Sequence, residues 1–546
     1  MEKLRWLNKE YSDKTIYFFM ALSTLLYSAL FIFSVPIEFP NGTDQYWHYF
    51  YIETLLNGSL KSYEIYPSFA LDPLWNGDMP GFIHNMPIIY IFAAAAKVTG
   101  NMYVGPLLVN WIMAVSAALM MYVMLKKHCG AIWGLVGYVL ILFFPVCFWQ
   151  SIQLLTETSA LFLLVLGMYI LQKRSFGRIA CAAGVLATCT NERTNVMLLA
   201  VFLLVLSCVD LVKNDREVGV AKWQRIAKVV VIAVIYFGGF KALGDIFGAT
   251  LDFTVSRTLF DKLAVTSTFS NTTNMALHYS TETFESIGFW PMVGNFFVKL
   301  GEAIREQFGI SGKGVVQWSL NALFAFAVAA LVFYRINNGK NKGDKIFSFS
   351  AWGLALCALS WLVMAVVYQN QFRYSNVYLP VIFFALLVLC SRIEGKNTRF
   401  VNAIVALMLV CCLASGCVLS YVARRDAIVE YEEYIGYEEA VEQLIPADAN
   451  VANFMQEKEF DYALYPRTIS HIPNIDIFGY TPEQLEVLIL GRYEPNTYVT
   501  APAGYLEEHE VCADIVNEYY EYVGDANGFD VYILKGLTEN SPAEVN

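Results

Sequence analysis

Charge is scarce in this chain: 16% of its 546 residues are Asp, Glu, Lys or Arg and 57% are hydrophobic, whereas soluble domains carry about 25% charged residues. That excludes an ordinary soluble fold. Of the 11 cysteines, most fall inside apolar runs and Cys512 stands alone near the C-terminus, so no disulfide framework or metal-ligand spacing is formed. They read as packing residues. There is no P-loop and no dinucleotide fingerprint, no internal repeat marks the inverted halves of a transporter, and no nucleic-acid partner is expected. The first apolar run is too long for a signal-peptide core and lacks a small-residue cleavage site, so it reads as a retained helix.

What is present is a series of long apolar runs. A helix needs roughly 20 apolar residues to cross the hydrocarbon core, and eleven spans are expected: Thr15–Val35, Tyr103–Leu125, Ala131–Trp149, Thr156–Gln172, Ile179–Thr190, Thr194–Val212, Val229–Gly248, Trp318–Tyr334, Ile346–Tyr368, Asn376–Ser391 and Phe400–Val422. The fold class is thus an α-helical polytopic membrane protein. Six short segments (1–14, Lys126/Lys127, 173–178, 213–228, 335–345 and 392–399) hold 21 of the 37 basic residues. Lys and Arg accumulate in cytoplasmic loops, which puts these segments and the N-terminus in the cytoplasm and divides a net charge of −11 sharply between the two faces.

Gly81–Lys97 is apolar but would reverse that charge pattern if it crossed, so it is expected to lie at the outer interface. The first outer loop then runs from Pro36 to about Met102, with Pro67, Pro73, Pro80 and Pro87 suited to short surface helices and turns. A second long outer loop, Ala249–Gln317, carries aromatic pairs such as Phe289-Trp290 suited to the interface. Beyond Val422 no run is long enough to span, and Ala423–Asn546 holds 25 of the 48 acids. Residues 1–422 are expected to form the membrane domain and 423–546 a small extracytoplasmic α/β or α+β domain, with a helix at Arg424–Leu444 and strands at Asn450–Met455, Thr497–Ala501 and Phe529–Leu534.

Ionisable residues deep in a span are costly and mark transport routes, yet here the span interiors are almost free of them, apart from Lys241 and Asp245 near one end. The reactive side chains gather instead at the outer ends: Asp44, His48, His84, Glu157, Glu192, Arg193, Arg257, His278 and Arg373. Singly, each has a plainer reading. Asp44 suits a helix cap, Glu157 favours a helix N-terminus through the dipole, Glu192 and Arg193 suit a turn between two short spans, and Arg373 suits an interfacial anchor.

Their order along the chain is more telling. Thr43-Asp44-Gln45-Tyr46 follows the first span, His84-Asn85-Met86-Pro87 precedes an outer-face helix, Thr156-Glu157-Thr158 opens the fourth span, and Arg373-Tyr374 precedes Pro380 before the penultimate span. In this order, over roughly Thr15–Val422, the chain resembles the GT-C superfamily of integral-membrane glycosyltransferases, such as protein O-mannosyltransferases and lipid A aminoarabinose transferases. Tyr462 to Arg467 is similar to a sequence found in the outer tails of such enzymes. Two departures stand out: Gln45 follows Asp44 where the family often has Asp-Glu, and Asn85-Met86 stands where a Lys or Pro is found.

The resemblance implies transfer of a sugar from a polyprenyl-phosphate donor to a glycan, lipid or protein hydroxyl on the extracytoplasmic face, with no cofactor required. A divalent metal is compatible with Asp44 but not demanded by it. Asp44 is expected to act as general base in an inverting reaction, Glu157 to orient the acceptor or a neighbouring cation, and His84, Arg193, Arg373 and Tyr374 to bind substrate. Nucleotide sugars are confined to the cytoplasm, which independently favours a lipid-borne donor outside. A bacterial cell membrane is the expected location. The alternatives are an extracytoplasmic polysaccharide polymerase or ligase acting on lipid-linked glycans, and a lipid or glycan transporter.

Overall fold

In the computed structural model, the described residues are 11–35, 87–247, 287–308, 314–338, 345–367, 372–393, 397–455, 457–464, 467–472, 481–491 and 495–537, with Gln45, His48, Tyr49, Ile52, Leu55 and Leu56. The chain forms two compact units. One comprises 1–36 and 85–424, the other 37–84 and 425–546.

The first unit is built of helices because its sequence consists of apolar runs whose backbone groups can be satisfied within a bilayer only by helical bonds or a closed barrel. In chain order they are α1 (Asp13–Ser34), α2 (Pro87–Thr99), α3 (Val104–Cys129), α4 (Ala131–Phe143), α5 (Pro145–Ser151), α6 (Glu157–Ile170) and α7 (Phe176–Glu192). Then follow α8 (Met197–Glu217), α9 (Lys222–Phe247), α10 (Phe289–Phe308), α11 (Val315–Asn338), α12 (Lys345–Val367), α13 (Leu379–Ser391) and α14 (Asn397–Leu444).

Among the described residues seven helices are individually long and apolar enough to cross a membrane, and α4 with α5 make an eighth if counted as one bent span. This is a multi-pass membrane protein. The expected span Ala131–Trp149 bends by 52° between α4 and α5, at Phe144-Pro145, because proline lacks the N–H that would continue the helix and disfavours helical geometry in the residue before it. The three remaining expected spans correspond to α6, α7 and α13, with 14, 17 and 13 residues. At 1.5 Å per residue they extend only about 20–26 Å, short of the ~30 Å core. α2, from the segment expected not to cross, has 13 residues.

Burial separates the helices by role. Leu379–Cys390 of α13 is buried throughout, whereas α1 leaves Leu25 and Ile32 about 70% exposed, as a lipid-facing helix would. α3 and α4 approach closely through glycine: a Cβ on Gly137 would collide with the Leu125 side chain. Side-chain hydrogen bonds tie α1 to its neighbours, Tyr27 Oη donating to Ser151 Oγ at 2.8 Å and Ser34 pairing with Ser420 at 2.6 Å, as is common between helices in a membrane.

The second unit contains the C-terminal part of α14, which continues without a break from the last apolar run. A five-stranded sheet follows, in the order β2-β1-β3-β5-β4: β1 (Asn450–Asn453), β2 (Thr468–His471), β3 (Tyr498–Pro502), β4 (Tyr520–Ala526) and β5 (Phe529–Leu534). β1 runs parallel to β2 and β3, and β5 antiparallel to β3 and β4. The three expected strands are present; β2 and β4 are additional. β4 and β5 join through Asn527-Gly528, both with positive φ, the pair that two-residue hairpin turns favour.

Helices α15 (Lys458–Leu464), α16 (Pro482–Leu490), α17 (Tyr505–Glu508) and α18 (Glu510–Tyr519) complete the module. Two apolar clusters form its core, one around Phe454, Leu488 and Cys512 and one around Val441, Phe460 and Phe529. Burial pushes the Cys512 thiol up to about 11, so it packs as an apolar residue.

Tyr462 and Arg467 have structural functions here. The Tyr462 ring packs edge-on against Tyr434 and against Tyr49 of the first outer loop, each with centroids 5.2 Å apart. Arg467 is buried and donates from Nε to the Ile445 carbonyl at 3.0 Å, with Nη2 on the same oxygen, closing the end of α14. Replacing it with Met strips a buried carbonyl of its donors, a cost of about 1–3 kcal/mol. Faster amide hydrogen exchange of β1 and β2 in the full-length Arg467→Met variant is the expected result, and unchanged exchange would contradict this fastening role.

Candidate functional site

Four consecutive residues at the end of α7 each reach a different partner. Thr190 Oγ1 lies 2.8 Å from the Tyr236 hydroxyl and Asn191 Nδ2 donates to the Phe240 carbonyl at 3.3 Å, both on α9. Glu192 Oε1 accepts the backbone N–H of Ile88 at 2.8 Å. Arg193 Nη2 donates to Glu157 Oε1 at 2.5 Å. This turn, Thr190-Asn191-Glu192-Arg193, therefore joins α2, α6, α7 and α9 at one end of the bundle.

Local chemistry explains the geometry. α7 stops because Arg193 leaves helical conformation (φ −147°, ψ 104°) and begins a 3-10 turn at Thr194–Val196. A carboxylate at a helix C-terminus is opposed by the dipole, but Glu192 meets the N-terminus of α2, whose Ile88 N–H has no intrahelical acceptor. Pro87, with no N–H to satisfy, occupies the first position of that helix. Glu157 stands at the first position of α6, where the dipole favours negative charge.

Both carboxylates are buried: Glu157 is 0% and Glu192 2% exposed. Among the described residues neither has a hydrogen-bond partner for Oε2, and the same holds for Thr156 Oγ1, Thr158 Oγ1 and both amide atoms of the fully buried Asn376. Buried polar atoms are nearly always hydrogen-bonded, and each left without a partner costs about 1–3 kcal/mol. Apolar side chains would pack this end of the bundle at lower cost, so its polarity is the mark of a site.

The 3-10 segment Phe372–Tyr378 packs against α5, against α6 and against the Thr194–Val196 turn. The backbone that carries Arg373 and Tyr374 is thus brought to the elements that carry Glu157 and Arg193. The side chains of Arg373 and Tyr374, and all of Asp44 and His84, lie outside the described residues. Glu157 and Arg193, named separately from the sequence, form an ion pair. Sequence reasoning missed Asn376, whose only signal is its place three residues after Arg373, and left Glu192 as a turn residue. Among the described residues no group of three or more His, Cys, Asp or Glu side chains is arranged to hold a metal ion.

The fold and site define a polytopic helical membrane protein with a buried, polar, ion-paired centre where short helices end. No protein-family model matches the sequence, and no curated protein matches it. Among solved structures, the chain is similar to ArnT from Cupriavidus metallidurans bound to undecaprenyl phosphate, at 11% identity and a TM-score of 0.44, covering 96% of this chain and 99% of that one. It is also similar to the Archaeoglobus fulgidus oligosaccharyltransferase in complex with Zn and sulfate, at 12% identity and a TM-score of 0.43, covering 94% of this chain and 73% of that one.

Proposed function

We propose that the protein is a membrane glycosyltransferase that moves a sugar from a polyprenyl-phosphate donor to an acceptor hydroxyl on the extracytoplasmic face. Asp44 takes the acceptor proton as that oxygen attacks the anomeric carbon. The bond from the anomeric carbon to the phosphate oxygen breaks on the opposite side, inverting the centre and releasing polyprenyl phosphate. Arg193 and Arg373, with His84 and Tyr374, meet the charge that grows on the phosphate. Arginine's planar fork suits phosphate oxygens, and preorganised cations in a water-poor site contribute most when charge develops. Glu157 fixes the Arg193 guanidinium in orientation.

The observation that carries this reading is the buried Glu157–Arg193 pair beside the Phe372–Tyr378 segment. Two arginines far apart in sequence come from neighbouring elements, at the helix ends that the basic loops place opposite the cytoplasm. The packing of Tyr49 on Tyr462 supports a further assignment: the module at 423–546 holds the outer loop that carries Asp44.

The test uses full-length protein in proteoliposomes supplied with a labelled polyprenyl-phosphate hexose or pentose and envelope extract as acceptor. Label is expected to pass to acceptor with stoichiometric release of polyprenyl phosphate, whereas externally added nucleotide sugars give none. Consumption of diphosphate-linked glycans in place of monosaccharide donors would identify a polymerase or ligase and overturn the proposal.

A further inference from the structure

A groove between α8 and α9, lined by none of the residues assigned to the α6–α7 centre, has the form of a lipid site. Its apolar part is a cavity of about 440 Å³, walled by Val205, Cys208 and Val212 on one side and Val229, Ala233 and Phe237 on the other. A second cavity of about 480 Å³ shares Val212 and Val229 with it and is lined by Arg216, Lys222 and Arg225. One continuous groove thus has an oily body and a cationic mouth. Val205, Val209 and Phe237 are each more than half exposed, so it opens sideways, where a bilayer would meet it.

Three features select the occupant. The cations are uncommitted: nearby Lys228 is paired with Asp215 at 2.7 Å and Arg174 with Asp210, but among the described residues Arg216, Lys222 and Arg225 form no ion pair, and Arg225 Nε is buried without an acceptor. Their placement adds to the local positive field, because Lys222 and Arg225 lie at the start of α9, where the helix dipole is also positive. An anion relieves that repulsion. Depth decides the tail: from Val201 to Val212 the wall rises about 16 Å, close to half of the ~30 Å hydrocarbon core. One acyl chain of a single leaflet matches this depth. The mouth lies in the 213–228 segment, which its basic residues assign to the cytoplasmic side, where anionic lipid headgroups attract such clusters.

We propose that the α8–α9 groove binds an anionic glycerophospholipid of the cytoplasmic leaflet, its headgroup phosphate on Arg216, Lys222 and Arg225 and one acyl chain along the apolar wall. In native mass spectrometry of the full-length protein, phosphatidylglycerol is expected to be retained about 100-fold more tightly than phosphatidylcholine. The triple variant Arg216→Ala, Lys222→Ala, Arg225→Ala should bring the two lipids to parity. Ala233→Trp, which fills the groove and spares the cations, should lose retention of both. Equal retention of the two lipids by the native chain would overturn the proposal. So would displacement of the lipid by inorganic phosphate, which would leave an anion site alone, or by a polyprenyl phosphate at lower concentration, which would make the groove a carrier site. The competition on the native chain decides the question even if a variant fails to fold.

Discussion

Asp44→Asn is expected to lower the rate of sugar transfer by about 10² to 10⁴, the usual contribution of a positioned general base. Asparagine keeps the size and hydrogen-bonding reach of the side chain but cannot accept the acceptor's proton near neutral pH. The attacking oxygen must then lose its proton to water. Gln45 follows Asp44 in place of a second acid, so no adjacent carboxylate can substitute. Donor binding should be little changed, because the base engages the acceptor hydroxyl. Single-turnover measurements at saturating donor, alongside size-exclusion profiles of the purified variant, provide the check. Turnover at the native rate in a correctly inserted variant would remove Asp44 from the reaction.

The second large effect is expected at Glu157. Its carboxylate is fully buried and ion-paired with Arg193, itself 16% exposed at the side chain. Removing one partner of a buried pair leaves an uncompensated charge, at a cost of about 3–5 kcal/mol. Glu157→Ala should therefore lose both stability and activity. Glu157→Gln retains an acceptor for the guanidinium and separates the two effects: folding should survive, while kcat/KM for the lipid donor falls by about 10²-fold, the scale for disturbing one preorganised group that stabilises charge. Residues acting as a unit are strongly non-additive. A cycle of Glu157→Gln, Arg193→Gln and the double variant should show the double variant scarcely worse than Arg193→Gln alone. Full additivity in donor kinetics would mean that Glu157 does not act through Arg193.

Particular elements show how far the sequence could be read. The positions of the expected spans were visible because lipid imposes one requirement on every exposed position, so apolar runs and basic turns mark them directly, whereas α10 (Phe289–Phe308) lies within a segment expected as an outer loop. β3 and β5 were visible from their β-branched and aromatic residues, as in Tyr498-Val499-Thr500 and Val531-Tyr532-Ile533, and β1 only within the longer run Asn450–Met455. β4 was not, because α18 runs into it at Tyr519/Tyr520 with no punctuation, although Asn527-Gly528 signals its far end. β2 has only four residues, too few for a periodic pattern. The break in Ala131–Trp149 was written in Pro145, but a proline in a membrane helix can be absorbed by neighbouring groups, so only packing could show that the chain bends there.

At the site, the sequence could nominate Glu157 and Arg193 but could not pair them, since 36 positions separate them. Glu192 looked like half of a turn because its partner is a backbone N–H on α2, and backbone donors leave no mark in a sequence. Asn376 carries no signal beyond its nearness to Arg373. Its burial depends on how Phe372–Tyr378 packs against α5 and α6.

By itself the sequence determined the class of molecule, a multi-pass helical membrane protein with a small α/β module after its last apolar run, and the residue types available between those runs. These depend on solvent preference, which acts on each segment independently of the others. The tertiary structure alone decided that Glu157 neutralises Arg193, that Glu192 receives α2, and that a cationic mouth opens onto an apolar groove between α8 and α9. Such pairings arise from the packing of distant helices, and a burial or contact between them exists only once the bundle has formed.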